Sequence, residues 1–162
     1  MRTAKKTIVP TPSDLLDLVG QDLGASEPRV VTQEQIDRFA DVTGDHQWIH
    51  VDVERARSGP FGTTVVHGFL TLALVPLLLA DILEVREHSM GVNYGLDRVR
   101  FVRPLPPGVE IQGTATLVSA RPIPPAQDGS PGGVQAKAAV VVEFADQSQP
   151  CCVAEILFRY YG

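Results

Sequence analysis

Asp45 and His50 stand five residues apart in Gly44-Asp45-His46-Gln47-Trp48-Ile49-His50-Val51-Asp52, and His67-Gly68 follows after a turn-rich loop. A carboxylate and an imidazole can hold one water between them and exchange its protons with a substrate near neutral pH. General acid–base chemistry of this kind contributes roughly 10²–10⁴-fold to a rate. The apolar pair Trp48 and Ile49 is expected to dry the pocket and strengthen its hydrogen bonds. The same residues allow a plainer reading, with Asp45 capping a turn and His50 a structural histidine. Asp45, His46, His50 and Asp52 also read as a metal-ligand set, and the 46 and 50 spacing would suit a helical face. Gly44 argues for a loop instead, so no metal is expected.

His67-Gly68 opens a run that is apolar to Leu79. If the N–H groups of Gly68 and its neighbours face a cleft, they form a donor site for a carbonyl oxygen that gains negative charge. Close packing of helix against sheet explains Gly68 equally well. Arg98, Arg100 and Arg103 are strand-borne cations in an acidic chain, suited to the phosphates of a ligand or to a solvated face. A Gly-x-Ser-x-Gly elbow and a Gly-x-Gly-x-x-Gly phosphate loop are absent from the sequence.

These side chains need a scaffold, and its elements are readable. Ser13 is expected to cap a short helix over residues 13–19, and residues 28–31 are extended. Thr32 and Gln35 form a capping-box pair, after which Ile36, Phe39, Ala40 and Thr43 recur at helical spacing until Gly44 stops the helix. Residues 53–58 make one or two helical turns. The run from His67 predicts a helix apolar on every side, which has to be enclosed, with a kink or a division into two parts at Pro76. Everything after His88 reads as strand and turn. Candidate strands are 90–103, 110–120, 134–145 and 151–161, with a mobile loop over 122–133 and a polar turn before Cys151. In the first of them the apolar phase changes between Leu96 and Val99, so a bulge is expected near Gly95 or Asp97. Helices first and an antiparallel sheet last give an α+β domain, one long helix lying in a curved meander of strands. The open sheet edges favour a homodimer.

With 162 residues, the chain is expected to form one domain over 1–162, including an N-terminal extension of residues 1–27. A net charge of −5 argues against nucleic acid as a partner. The apolar run from Phe69 to Leu83 is interrupted by Pro76 and Asp81 and is short of the ~20 residues of a membrane span, so no membrane partner is expected. The basic N-terminus has no apolar run behind it and does not read as a signal peptide. Cys151 and Cys152 read as reduced, packed thiols, and the expected location is cytoplasmic.

The stretch Phe39-Ala40-Asp41-Val42-Thr43-Gly44-Asp45-His46-Gln47-Trp48-Ile49-His50-Val51-Asp52, with His67-Gly68 downstream, resembles the hydratase motif of the MaoC-like dehydratases, the (R)-specific enoyl-CoA hydratases of the hot-dog fold. Asn93-Tyr94-Gly95-Leu96 and Val99-Arg100-Phe101 are similar to the NodN-like, single-domain branch. Where the family usually has Asn-Pro, this chain has Gln47-Trp48, and Thr71 and Pro76 occupy the region where a helix serine is often found. The resemblance implies a hot-dog domain that adds water across a trans-2-enoyl thioester. Asp45 and His50 would be catalytic, and Val66, His67, Gly68, Asn93, Tyr94, Arg98 and Arg100 would bind substrate or its oxyanion. It implies no cofactor, with acyl-CoA as the substrate. A hot-dog acyl-CoA thioesterase and a non-catalytic acyl-thioester-binding module are the alternatives on the same fold.

Overall fold

Gln35 N–H donates to Thr32 Oγ1 at 3.3 Å and Thr32 N–H donates to Gln35 Oε1 at 2.9 Å, the reciprocal cap expected from the sequence. They open helix α1 (Gln33–Thr43), which buries Ile36 and Ala40 and ends at Gly44 with φ of 78°. Glycine takes that left-handed conformation without a Cβ clash, so the chain turns sharply and Asp45 starts a loop. The computed structural model describes residues 2–127, 129, 131–146 and 149–162. Asp128 and Ser130 of the loop expected to be mobile, and Gln147 and Ser148 of the last turn, lie outside the described residues.

The first helical element departs from expectation in its cap. A 3-10 helix runs over Pro12–Leu18 and Thr11, rather than Ser13, is the cap. Pro12 sits in the first turn, where its missing N–H costs nothing. The Asp14 carboxylate reaches back to accept from the Thr11 hydroxyl and amide, both at 2.7 Å, and the hydroxyl and then the amide hold its pKa below the usual value.

The apolar run divides in two, as Pro76 suggested, but the break falls at Leu74. Helix α4 spans Gly68–Ala73 and α5 spans Val75–Ile82, with Pro76 near the start of α5. There the missing N–H does no damage. Val75, Leu78 and Ile82 are fully buried, and Leu78 lies so close to Gly113 that a Cβ there would stand 3.0 Å from its own. Enclosure is one-sided, however. Phe69 is 70% exposed and Leu77 45%, because the sheet of a single chain covers one flank of the helix pair.

The sheet contains the four strands expected, β5 (Met90–Phe101), β6 (Glu110–Ile123), β7 (Gly133–Phe144) and β8 (Pro150–Tyr161). Two short strands from the N-terminal half, β2 (Asp22–Ala25) and β3 (Arg29–Val30), both pair with β6. All pairings are antiparallel, in the order β2-β6-β7-β8-β5. The register of β5 on β8 slips between Asn93 and Gly95 and again between Leu96 and Arg98, the bulges that the change of phase required. A separate parallel pair joins β1 (Thr7–Val9) to β4 (Leu83–Val85), tying the N-terminal segment to the end of α5. Periodicity did not reveal β1, β2 or β4, each of them four residues or shorter. Cys151 and Cys152 are free and buried on opposite faces of β8, between β7 and β5. Among the described residues, no helix is long and apolar enough to cross a membrane.

Candidate active site

Beyond the Asp45 loop the chain makes a one-turn helix, α2 (Trp48–Val51), and then α3 (Val53–Arg57). His50 therefore stands on a helix, where a loop was expected. Asp52 stabilises the junction by accepting from Arg55 N–H at 3.0 Å. The turn is also laced to the segment before α4. Val65 N–H donates to Ile49 O at 2.9 Å, Gln33 Nε2 donates to His50 O at 2.7 Å, and Thr64 Oγ1 donates to Gln33 Oε1 at 2.6 Å.

These ties bring two imidazoles face to face. The rings of His50 and His67 stack with centroids 3.8 Å apart and planes 24° apart, and both side chains belong to buried residues. His50 Nδ1 lies 2.6 Å from Val65 O. A carbonyl can only accept, so Nδ1 carries a proton and Nε2 is the nitrogen that faces another partner. His67 Nε2 lies 2.9 Å from the backbone oxygen of Asp45 and 4.0 Å from Asp45 Oδ2, so Nε2 is the protonated nitrogen of that ring. One ligand-type atom from each of Asp45, His50 and His67 falls within 4.8 Å of the others. His50 Nδ1 and His67 Nε2 are committed to carbonyls, which leaves Asp45 and His50 Nε2 available to a water or an ion. Asp45 is half exposed and His67 only 2%, so a solvent-facing carboxylate meets a dry imidazole pair.

Gly68 follows His67 directly and starts α4. The first helical bond here is Thr71 N–H to His67 O at 3.0 Å, so the N–H groups of Gly68, Phe69 and Leu70 precede it. Gly68 also permits close packing, since a Cβ on it would come within 2.6 Å of the Phe101 ring. It lines a cavity of about 230 Å³ with Phe61, Val66, Thr71, Phe101 and Cys151 among its walls. The Thr71 hydroxyl in that wall donates to His67 O at 3.3 Å.

Trp48 packs on Gly59 and carries the Arg55 guanidinium 4.3 Å from its ring centroid. The apolar walls of the Gly68 cavity come from Phe61, Val66, Phe101 and Leu105, and neither Asp45 nor His50 is among its lining residues. Phe101 was legible as a strand residue and as part of the Val99-Arg100-Phe101 resemblance but not as a cavity wall, and the Val65 carbonyl, being backbone, left no sequence signal.

Of the other residues expected at the site, Val66 is buried and uses its N–H on Leu105 O at 2.8 Å. Asn93 and Tyr94 border a different cavity, against Leu72 and Pro76 farther along the helix pair. Arg98 and Arg100 lie on the exposed strand β5, and Arg100 Nη1 donates to Val99 O at 2.7 Å. Of the three arginines, Arg103 is the one in the wall of the Gly68 cavity. The metal-ligand reading of the loop separates in space. His46 turns outward to Asp41 at 3.7 Å, and Asp52 caps α3.

Residues 14–129 match the family model described as MaoC like domain. The chain is 45% identical over 148 residues to 3-hydroxyacyl-thioester dehydratase Z of Mycobacterium tuberculosis (strain ATCC 25618 / H37Rv), covering 91% of this chain and 94% of that one. It is 47% identical over 111 residues to Nodulation protein N of Rhizobium meliloti (strain 1021), covering 67% and 69%. The solved (R)-hydratase from A. caviae involved in PHA biosynthesis superposes with a TM-score of 0.67 at 18% identity, covering 86% of this chain and 94% of that one. With the helix pair packed on an antiparallel sheet and these relatives on both sides, the chain belongs to the MaoC-like dehydratase family and has the hot-dog fold.

Proposed function

We propose that this protein is an (R)-specific enoyl-CoA hydratase, which in the reverse direction is a 3-hydroxyacyl-CoA dehydratase. The observation that carries this reading is the meeting of Asp45 and His50 next to the start of α4, with donor atoms within 4.8 Å. Two hydrogen bonds of roughly 2.8 Å to one tetrahedral oxygen span roughly 4.6 Å, so side chains that approach this closely have room to share one water. The name of the mycobacterial relative, a 3-hydroxyacyl-thioester dehydratase, supports a thioester as the substrate class.

In this reading the thioester carbonyl accepts from the Gly68 N–H, which favours the enolate-like transition state over the ground state. Asp45 and His50 hold the water, its oxygen bonds to Cβ, and a proton is delivered to Cα from the same side. The product is the (R)-3-hydroxyacyl thioester. Asp45 and His50 act as a unit in these proton transfers. The chain needs no cofactor for this chemistry and works as a homodimer, because β5 and the outer flank of α4 expose Phe69, Tyr94, Leu96 and Phe101. The proposed location is the cytoplasm.

Crotonyl-CoA hydration by wild type, Asp45→Asn and His50→Gln tests the assignment. Losses of about 10²-fold or more in kcat are expected for each variant, and three equal rates reject it.

A further inference from the structure

His67 is the place where four elements converge, and the acid–base chemistry just described does not use it. Its ring touches Phe39 of α1, with centroids 5.0 Å apart, and stacks on His50 of α2 at 3.8 Å. Its Nε2–H reaches the Asp45 backbone at 2.9 Å, and its own carbonyl accepts the first helical bond of α4. The side chain is 2% exposed, so a substrate in the cleft does not reach it. Its Nδ1 is buried and has no hydrogen-bond partner among the described residues.

That bare nitrogen is informative. Leaving a buried polar atom unpaired is unfavourable, and a residue without a polar task at this position would avoid the cost by being apolar. An apolar ring would fill the same space between Phe39 and His50. What it would lack is the Nε2–H donor that holds the carbonyl of Asp45.

We infer that His67 is a positioning residue: its Nε2–H fixes the backbone of Asp45 while its ring plane fixes the imidazole of His50, so one buried side chain sets the relative geometry of the acid–base pair. This rests on the hydro-lyase reading above and assigns His67 a role behind the pair rather than in the substrate-binding wall. A displacement of about 1 Å in such a pair is enough for losses near 10²-fold. The two functions of the ring can be separated by substitution. His67→Phe keeps the stacking ring and removes the donor, and His67→Gln keeps a donor at a similar reach and removes the stack.

Steady-state kinetics on crotonyl-CoA with both variants, each checked for a native far-UV spectrum, provides the test. His67→Phe is expected to lose about 10²-fold in kcat with KM within about twofold, and His67→Gln to recover a substantial part of that loss. A rise in KM at unchanged kcat would make His67 a substrate contact and overturn the inference, as would a His67→Phe enzyme with wild-type kcat. If His67→Phe does not fold, imidazole ¹⁵N spectra of wild type decide: the Nε2–H tautomer at His67 is required, and Nδ1–H overturns it. A wild type with no turnover sinks the hydro-lyase reading instead. The same spectra then judge the clamp alone, through whether the Nδ1–H signature of His50 is lost in His67→Phe or His67→Gln.

Discussion

Strands β7 and β5 are both twelve residues long, both rich in apolar residues and both paired to β8, yet their burial differs completely. β7 lies between β6 and β8, and Val134, Ala136, Ala138, Val140 and Val142 are buried in strict alternation. β5 lies at the edge, where Val99 is half-buried while Val92, Tyr94, Leu96 and Phe101 are exposed. An apolar alternation therefore identifies a strand without saying what covers it. Cover comes from neighbours, and on β5 one long edge has none among the described residues. An exposed edge of this length and apolarity is a pairing surface. It is the reason a second copy enters the proposed function.

The sharpest way to break the comparison is to put the same kind of residue into both strands. Val140→Asp places an unpaired carboxylate at a position 1% exposed, and a loss of more than about 4 kcal/mol is expected. That is enough to leave little native protein in a domain of ordinary stability, read out as loss of the cooperative melting transition. Leu96→Lys on β5 should instead change the stability of the single chain by no more than about 0.5 kcal/mol, because Leu96 is 45% exposed. Its effect should appear in sedimentation, as a shift from dimer to monomer. A wild type that sediments as a monomer would remove the proposed reason for the apolar residues of β5.

The smallest effect concerns the thiols between the two regions. Burial pushes the Cys151 thiol up to about 12 and the Cys152 thiol up to about 11, from 9.0. Both should resist alkylation at pH 8 in the native state and react on unfolding. The unfolded chain releases these protons above pH 9 while the folded chain keeps them, so stability is full below pH 9. It then falls as pH rises toward 11 and 12, at up to about 1.4 kcal/mol per pH unit for each thiol. Chemical denaturation at pH 8 and pH 10.5 checks the sign.

Much of this molecule follows from local chemistry. The Thr32–Gln35 cap, the stop at Gly44, the division of the apolar run near Pro76, the four long strands and the bulged register of β5 were all legible, because each depends on residues within a few positions of one another. So was the stretch from Phe39 to Asp52 that carries the family's motif. The strands β1, β2 and β4 were not, since short strands form through partners remote in sequence: Leu83 for Thr7 and Thr116 for Asp22. The Thr11 cap was missed although its partner, Asp14, is only three residues away.

The candidate site divides in the same way. Sequence alone determined which groups are present: a carboxylate, two imidazoles and a glycine at the head of an apolar helix. Tertiary structure decided that Val65 O fixes the tautomer of His50, that His67 stacks behind it, that Trp48 packs on Gly59 and that Phe101 walls the Gly68 cavity. Spacing along the chain can bring residue types near one another, but backbone carbonyls and ring faces acquire their partners only when separate elements pack.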